Sequence, residues 1–267
     1  MILFFIFIFI LLFLIGCSLL YYMWRMANQN NVCKHTLSFD TFPKSFEEVS
    51  IFFISDIHRR KISEKIVQEV KGKTDIVVIG GDLTEKGVPF ERVKDNLLQL
   101  KKIAPTYFVW GNNDYEVDYH MLDSLMLEHG IKILDNTAAL FESAEGEKFA
   151  LLGIDDLKYG RSNLNVALSD SSEQNIFRIL ICHNPAIKRI IQPEHQISFI
   201  LSGHTHGGQI RLFNLGMYKK GGIEKFGQTT MLISNGYGTS RLPLRLGVQP
   251  ETHLITIRPS QNDILHH

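Results

Sequence analysis

Five short runs of Ile, Val and Phe each stop at a polar block holding Asp, His or Asn, and this repeated coupling constrains the fold more than any other feature. Val49 to Ile54 leads into Ser55-Asp56-Ile57-His58, Asp75 to Ile79 into Gly80-Gly81-Asp82, and Thr106 to Trp110 into Gly111-Asn112-Asn113-Asp114. Phe177 to Cys182 leads into His183-Asn184-Pro185, and Ile197 to Leu201 into Ser202-Gly203-His204-Thr205-His206. Strand length and composition mark these runs, and Phe149 to Ile154, Met231 to Ser234 and His253 to Ile257 read the same way. Helical spacing follows the first two runs, with Ile62, Ile66, Val67 and Val70, then Val93, Leu97, Leu98 and Ile103. The second half is richer in strands, with a helix expected near Pro185 to Ile191. The pattern implies an α/β chain of mixed α+β character, with two sheets covered by helices. In such sheets ligands gather beyond the C-terminal strand ends, where these blocks sit.

Composition matters mainly through its uneven spread. From Met1 to Trp24 there is no charged side chain, a run long enough to cross a bilayer as a helix, which needs about 20 residues. A retained anchor over residues 1–25 is the leading reading, because a cleaved signal usually carries a basic start and a shorter apolar stretch. Cleavage stays open, as does lipidation at Cys17 of Leu14-Ile15-Gly16-Cys17, which resembles a bacterial lipoprotein box. Arg25 and Lys34 after the run favour a cytoplasmic domain, on only two charges. Residues 26–47, polar and holding Pro43, read as a linker to a domain over 48–259 and a tail over 260–267. Lys and Arg total 28 against 28 Asp and Glu, and no basic run exceeds Arg59-Arg60-Lys61, so a phosphate-driven nucleic-acid surface is disfavoured. Cys17, Cys33 and Cys182 are too few for a disulfide framework.

The ligand chemistry is carried by the conjunction of blocks. Asp56, His58, Asp82, Asn112, His183, His204 and His206 are oxygen and imidazole donors without a thiolate, a mixed set that suits first-row transition ions. Seven are too many for one tetrahedral ion. Two ions about 3.5–4 Å apart, sharing a carboxylate, use that number and are an established arrangement for phosphoester hydrolysis.

In this order the blocks resemble the calcineurin-like metallophosphoesterase superfamily over roughly Glu48 to Pro259. Gly203 to Gln209, Asn235-Gly236-Tyr237-Gly238-Thr239-Ser240, Pro243-Leu244-Arg245 and Pro250-Glu251, with the leader, resemble its membrane-associated bacterial branch of YkuE and YaeI type. The resemblance implies a four-layer αββα sandwich of two mixed sheets, behind an N-terminal transmembrane helix. It further implies Asp56, His58 and His206 on one divalent ion, Asn112, His183 and His204 on the other, and Asp82 bridging. The ions would be Mn, Fe or Zn, and a hydroxide between them would attack phosphorus in line. A phosphorylated small molecule or lipid is then the expected partner.

Asn113 and Asp114 complete the candidate site as catalytic residues. Many superfamily members carry a histidine where this chain has Asn113, and a carboxamide cannot deliver a proton at neutral pH. Either another group protonates the leaving group, with His120 the candidate, or the leaving group needs little protonation. The second alternative favours a phosphoanhydride or activated ester, and the similar UDP-diacylglucosamine hydrolases, which cleave a pyrophosphate bond, also lack histidine there. Asn113 also leaves open a metal-binding scaffold without turnover. His35, His129, His195 and His253 read as surface or packing residues, and Cys182 as core. Arg241 and Arg245 could meet a substrate phosphate or form a solvated pair.

Overall fold

The computed structural model describes residues 1–172, 175–213 and 215–260; the expected tail, with His266 and His267, lies outside them from residue 261 onward. Helix α1 (Ile2–Ala27) is followed by strands β1 (Val32–Phe39) and β2 (Val49–Ile54), helix α2 (Glu64–Val70), β3 (Ile76–Ile79) and α3 (Phe90–Lys101). Next come β4 (Thr106–Phe108), α4 (Tyr119–Glu128), the two-residue β5 (Lys132–Ile133), β6 (Thr137–Glu142), β7 (Lys148–Gly153) and α5 (Leu164–Ser169). Then follow β8 (Phe177–Ile181), β9 (Ile197–Ser202), β10 (Gly222–Phe226), β11 (Thr229–Ile233) and β12 (Thr252–Pro259).

The strands form two mixed six-stranded sheets, ordered β1-β12-β2-β3-β4-β5 and β10-β11-β9-β8-β7-β6. β2, β3, β4 and β5 run parallel in one, and β7, β8, β9 and β11 in the other, so all five motif blocks leave parallel strands. Ile51 and Phe53 of β2 face Phe177, Ile179, Phe199 and Leu201 in the core between the sheets. Phe52 and Ile54 instead pack with Ile66 and Val67 of α2 and Leu97 of α3. On the far side Ala150, Leu152 and Leu180 meet Leu164 and Ala167 of α5. These are the four expected layers. A strand buried on both faces reads as an unbroken apolar run, which is why the motif strands stand out in the sequence. Cys182 lies in this outer core, where burial pushes its thiol pKa up.

Two expectations need correction. Residues 26–47 are not a linker: β1 pairs in parallel with β12 from Val32↔Thr252 to Phe39↔Pro259 and closes the edge of the first sheet. Its exposure alternates along Val32–Phe39 because it is a half-solvated edge, so its composition resembles that of a polar connection. Nor is there an α-helix near Pro185 to Ile191; Pro185–Arg189 is a 3-10 turn whose start is capped by Asn184 Oδ1 accepting from Ala186 N.

β1 also brings His35 Nε2 to 3.1 Å from His253 Nδ1, while His253 Nε2 lies 2.9 Å from Ser234 Oγ. Burial, reinforced by His35, lowers the His253 pKa to about 3. An unfolded histidine titrates near 6.5, so between about pH 6.5 and 3 the unfolded chain binds a proton that the folded chain refuses. Stability therefore falls with pH across that window, by at most about 1.4 kcal/mol per unit from this group. Urea midpoints measured from pH 7 to 4 should fall more steeply for the wild type than for His253→Gln; parallel slopes would exclude the assignment.

Candidate metal centre

Three of the five motif blocks turn through left-handed residues at their strand ends. Asp56, His58, Asp82, His204 and His206 all have φ between 50° and 72°, a region that costs a non-glycine residue about 1–3 kcal/mol. Such strain persists where neighbours over-determine the backbone. Asp56 N donates to Gly81 O at 3.0 Å, Ile57 N to Asp82 O at 2.8 Å, and Gly203 N to His183 O at 3.0 Å, so the loops are stitched to one another. Glycine allows the closest approaches: a Cβ on Gly111 would collide with the Asp82 carboxylate. On Gly81, at φ 83°, it would come within 2.6 Å of His183 Nδ1.

The side chains so presented form two clusters, Asp56 with His58 and His206, and Asp82 with His183 and His204, in each of which the candidate ligand atoms lie within 4.8 Å of one another. In the first, His58 Nε2 is 3.1 Å from His206 Nε2, and His206 Nε2 is 3.3 Å from Asp56 Oδ1. In the second, His183 Nε2 is 3.2 Å from His204 Nδ1. Asp82 Oδ2 stands between them, 3.2 Å from His183 Nε2 and 3.7 Å from His58 Nε2. His183 Nδ1 lies 2.8 Å from Gly80 O, a contact in which Nδ1 donates and which turns Nε2 toward Asp82. Asn112 Oδ1 is buried and without a hydrogen-bond partner.

The electrostatics favour a cation here. Burial opposes charge on Asp82, yet the His183 and His58 imidazoles hold its carboxyl well below the usual range. Burial would likewise depress His183, but the Asp82 and Asp56 carboxylates lift it to about 10. His206 is pushed down to about 3 by burial, with His58 and Arg245 adding to the effect, so it is a neutral donor at pH 7. Converging imidazole lone pairs, a carboxylate between them and an orphaned amide oxygen fit divalent ions, by the chemistry of the donors.

Against this geometry, the sequence profile of the calcineurin-like phosphoesterases matches residues 49–208. The chain belongs to the calcineurin-like phosphoesterase family. It is 41% identical over 237 residues to YpbG of Bacillus subtilis (strain 168), across 88% of this chain and 90% of that protein. It is 29% identical over 243 residues to Phosphodiesterase YaeI of Escherichia coli (strain K12), across 84% and 87%. The 5'-nucleotidase precursor of Thermus thermophilus superposes with a TM-score of 0.50 at 11% identity, over 78% of this chain and 55% of that one, a likeness of fold. This phosphoesterase is thus a hydrolase of phosphoester bonds, in a family that uses divalent metal ions.

The centre opens into a cavity of about 850 Å³ whose lining includes His58, Asp82, Asn112, Asn113, His204 and His206 together with Ile210, Met217, Tyr218 and Leu242. Asn113 thus borders the reaction space, its N–H donating to Asp82 Oδ1 at 2.8 Å. Asp114 takes a different role from the one expected. Fully buried, its Oδ2 accepts from Asp82 N at 2.8 Å and Gly111 N at 2.9 Å, and its Oδ1 from Thr84 N at 3.0 Å. It positions the two loops. Burial, with Asp82 adding, raises its pKa to about 7.

His120 lies on a separate depression beside Trp110, Tyr115 and Arg161, which removes it as a proton donor to this cavity. Arg241 lines the cavity and is exposed, whereas Arg245 is fully buried and meets neither expectation for it. Two residues escaped the sequence reading. Glu85 Oε2 lies 3.0 Å from His58 Nδ1 and orients that ring, three residues after Asp82 in the same block. Lys158 contributes a cation to the cavity from a loop without a motif.

Proposed function

We propose that this phosphoesterase is a membrane-anchored enzyme with a two-ion centre, hydrolysing an activated phosphoester or a phosphoanhydride. Asp56, His58 and His206 would hold one ion, Asn112, His183 and His204 the other, with Asp82 shared. The observation that carries this is Asp82 Oδ2, close to an imidazole of each cluster at once. Two such ions, when bound, supply Lewis acidity that activates water and stabilises charge on phosphorus oxygens. Among the chain's own groups, Lys158 and Arg241 can orient substrate phosphate oxygens at the cavity wall, and the Asn113 carboxamide can donate a hydrogen bond to the leaving group. The lining histidines His58, His204 and His206 are committed to the clusters, which leaves the Asn113 carboxamide without an imidazole acid beside it. A leaving group stable as an anion is the consequence.

Membrane anchoring is supported by α1: 26 residues, about 39 Å of helix, with its most apolar window wholly exposed. The test uses the purified full chain. Metal content, and hydrolysis of bis-p-nitrophenyl phosphate, p-nitrophenyl phosphate and a lipid pyrophosphate, should give about two equivalents of metal with metal-dependent turnover. Two bound ions without turnover would instead favour a silent scaffold, and no bound metal would remove the ligand assignment.

Asn113→His supplies the missing acid. Its rate on an alkyl phosphate should rise about 10²-fold while its rate on a pyrophosphate stays within a few-fold. Equal gains on both substrates would refute the leaving-group argument.

A further inference from the structure

The cavity lining formed by Ile210, Met217, Tyr218 and Leu242 continues into an apolar surface left exposed by the described residues. Within residues 210–218 the side chains of Phe213, Met217 and Leu215 are 90%, 83% and 77% exposed, and Leu212 and Leu242 beside them are also open. Singly exposed apolar residues are ordinary, but Met217 and Leu242 line the cavity and Leu212, Phe213 and Leu215 stand exposed on the same loop as Met217, a patch that wants a partner.

Two observations say what the partner is. The first is continuity with α1. Arg245 N donates to Met23 O at 3.1 Å, and the next residue, Leu246, pairs with the loop through Arg211 N to Leu246 O at 2.8 Å and Leu246 N to Gln209 O at 3.1 Å. Arg245 and Leu246 therefore join the end of the helix to the start of the loop by direct hydrogen bonds. Counting about 20 residues of bilayer core from Ile2 ends it near Tyr21, and the exposed Tyr21, Tyr22 and Trp24 followed by Arg25 form the ring-and-cation band that settles at a membrane–water interface. Met23, to which the Arg245 segment is bonded, lies in that band.

The second observation is charge. From Gln209 to Gly222 the sequence holds Arg211, Lys219 and Lys220 and no Asp or Glu, the composition of a segment that meets anionic headgroups. The anchor is not on a tether that would let the domain wander, because Met23, Met26 and Ala27 are buried against the domain and only residues 28–31 separate α1 from β1.

We infer that residues 210–213 and 215–218 and Leu242 lie in the interfacial layer of the same bilayer that α1 crosses, so that the metal cavity opens onto lipid headgroups and takes an amphiphilic phosphoester from the membrane plane. This rests on the membrane-anchored hydrolase reading above and names its substrate class.

The test uses the full chain in phosphatidylcholine–phosphatidylglycerol vesicles. In a Trp24→Phe background, the Phe213→Trp indole should shift to the blue and lose intensity when brominated phosphatidylcholine replaces the ordinary lipid. In parallel, Phe213→Ser/Leu215→Ser should hydrolyse water-soluble bis-p-nitrophenyl phosphate at the wild-type rate but a vesicle-embedded p-nitrophenyl phospholipid about tenfold more slowly. An unquenched indole, or a double variant slowed equally on both substrates, overturns the inference and leaves the hydrolase reading standing. A wild type that turns over neither substrate fails the hydrolase reading and overturns the substrate assignment, while the quenching decides the loop's place independently.

Discussion

Asp82→Asn is expected to lower turnover by about 10³-fold and to reduce bound metal from about two equivalents to one or fewer. The substitution is nearly isosteric, and the amide oxygen can still accept the Asn113 N–H that now reaches Asp82 Oδ1 at 2.8 Å, so the loop should keep its shape. What disappears is the negative charge on Oδ2, placed 3.2 Å from His183 Nε2 and 3.7 Å from His58 Nε2. Without it, the two clusters lose the anionic donor they share. His183 keeps Gly80 O at 2.8 Å from its Nδ1, so its ring stays aimed at the site and one ion can remain. Metal analysis by mass spectrometry and unchanged circular dichroism separate loss of an ion from loss of fold. A variant with full metal content and a rate within tenfold of wild type would show that Asp82 is not the shared ligand.

Most of the centre was legible in the sequence because parallel strands buried on both faces advertise themselves, and because a ligand at such a strand end has a fixed destination. The pairing of clusters followed from the resemblance and not from spacing. Which imidazoles meet across the site depends on left-handed turns at Asp56, His58, Asp82, His204 and His206, and on glycines that admit a neighbouring carboxylate. The reading failed where burial is partial or contacts are distant in sequence. β1 alternates like a solvated connection; Glu85 and Lys158 belong to no spacing; Asp114 carries a carboxylate that backbone N–H groups claim before substrate can. Arg245 shows the limit most clearly, since nothing local to Pro243-Leu244-Arg245 forecasts a buried guanidinium.

That guanidinium carries the second large expectation. Arg245→Leu should destabilise the domain by about 3–5 kcal/mol, about 10 °C in melting temperature, and lower occupancy of the cluster containing Asp56. Arg245 Nη2 lies 2.6 Å from Asn235 O, 2.7 Å from Gly238 O and 3.1 Å from Gly236 O, so its two N–H groups are shared among the carbonyls of one turn. That turn is pressed on the Asp56 block, with Tyr237 N donating to Ser55 O at 2.9 Å and Gly238 N to Asp56 O at 2.6 Å. Burial lowers the Arg245 pKa to about 10, with Asp56 opposing the shift, and the group stays charged across the physiological range. Leucine fills the volume but takes the guanidinium from the buried Asn235 and Gly238 carbonyls, while Gly236 O keeps Glu251 N at 3.0 Å; each carbonyl left unpaired costs about 1–3 kcal/mol before relaxation. Lysine keeps the charge yet cannot reproduce the fork, so Arg245→Lys should recover less than half of the loss. Thermal unfolding of the three chains, with metal content read at 25 °C, tests the linkage: a melting point lowered with full metal occupancy would confine Arg245 to stability, and an unchanged melting point would mean that water replaces its hydrogen bonds.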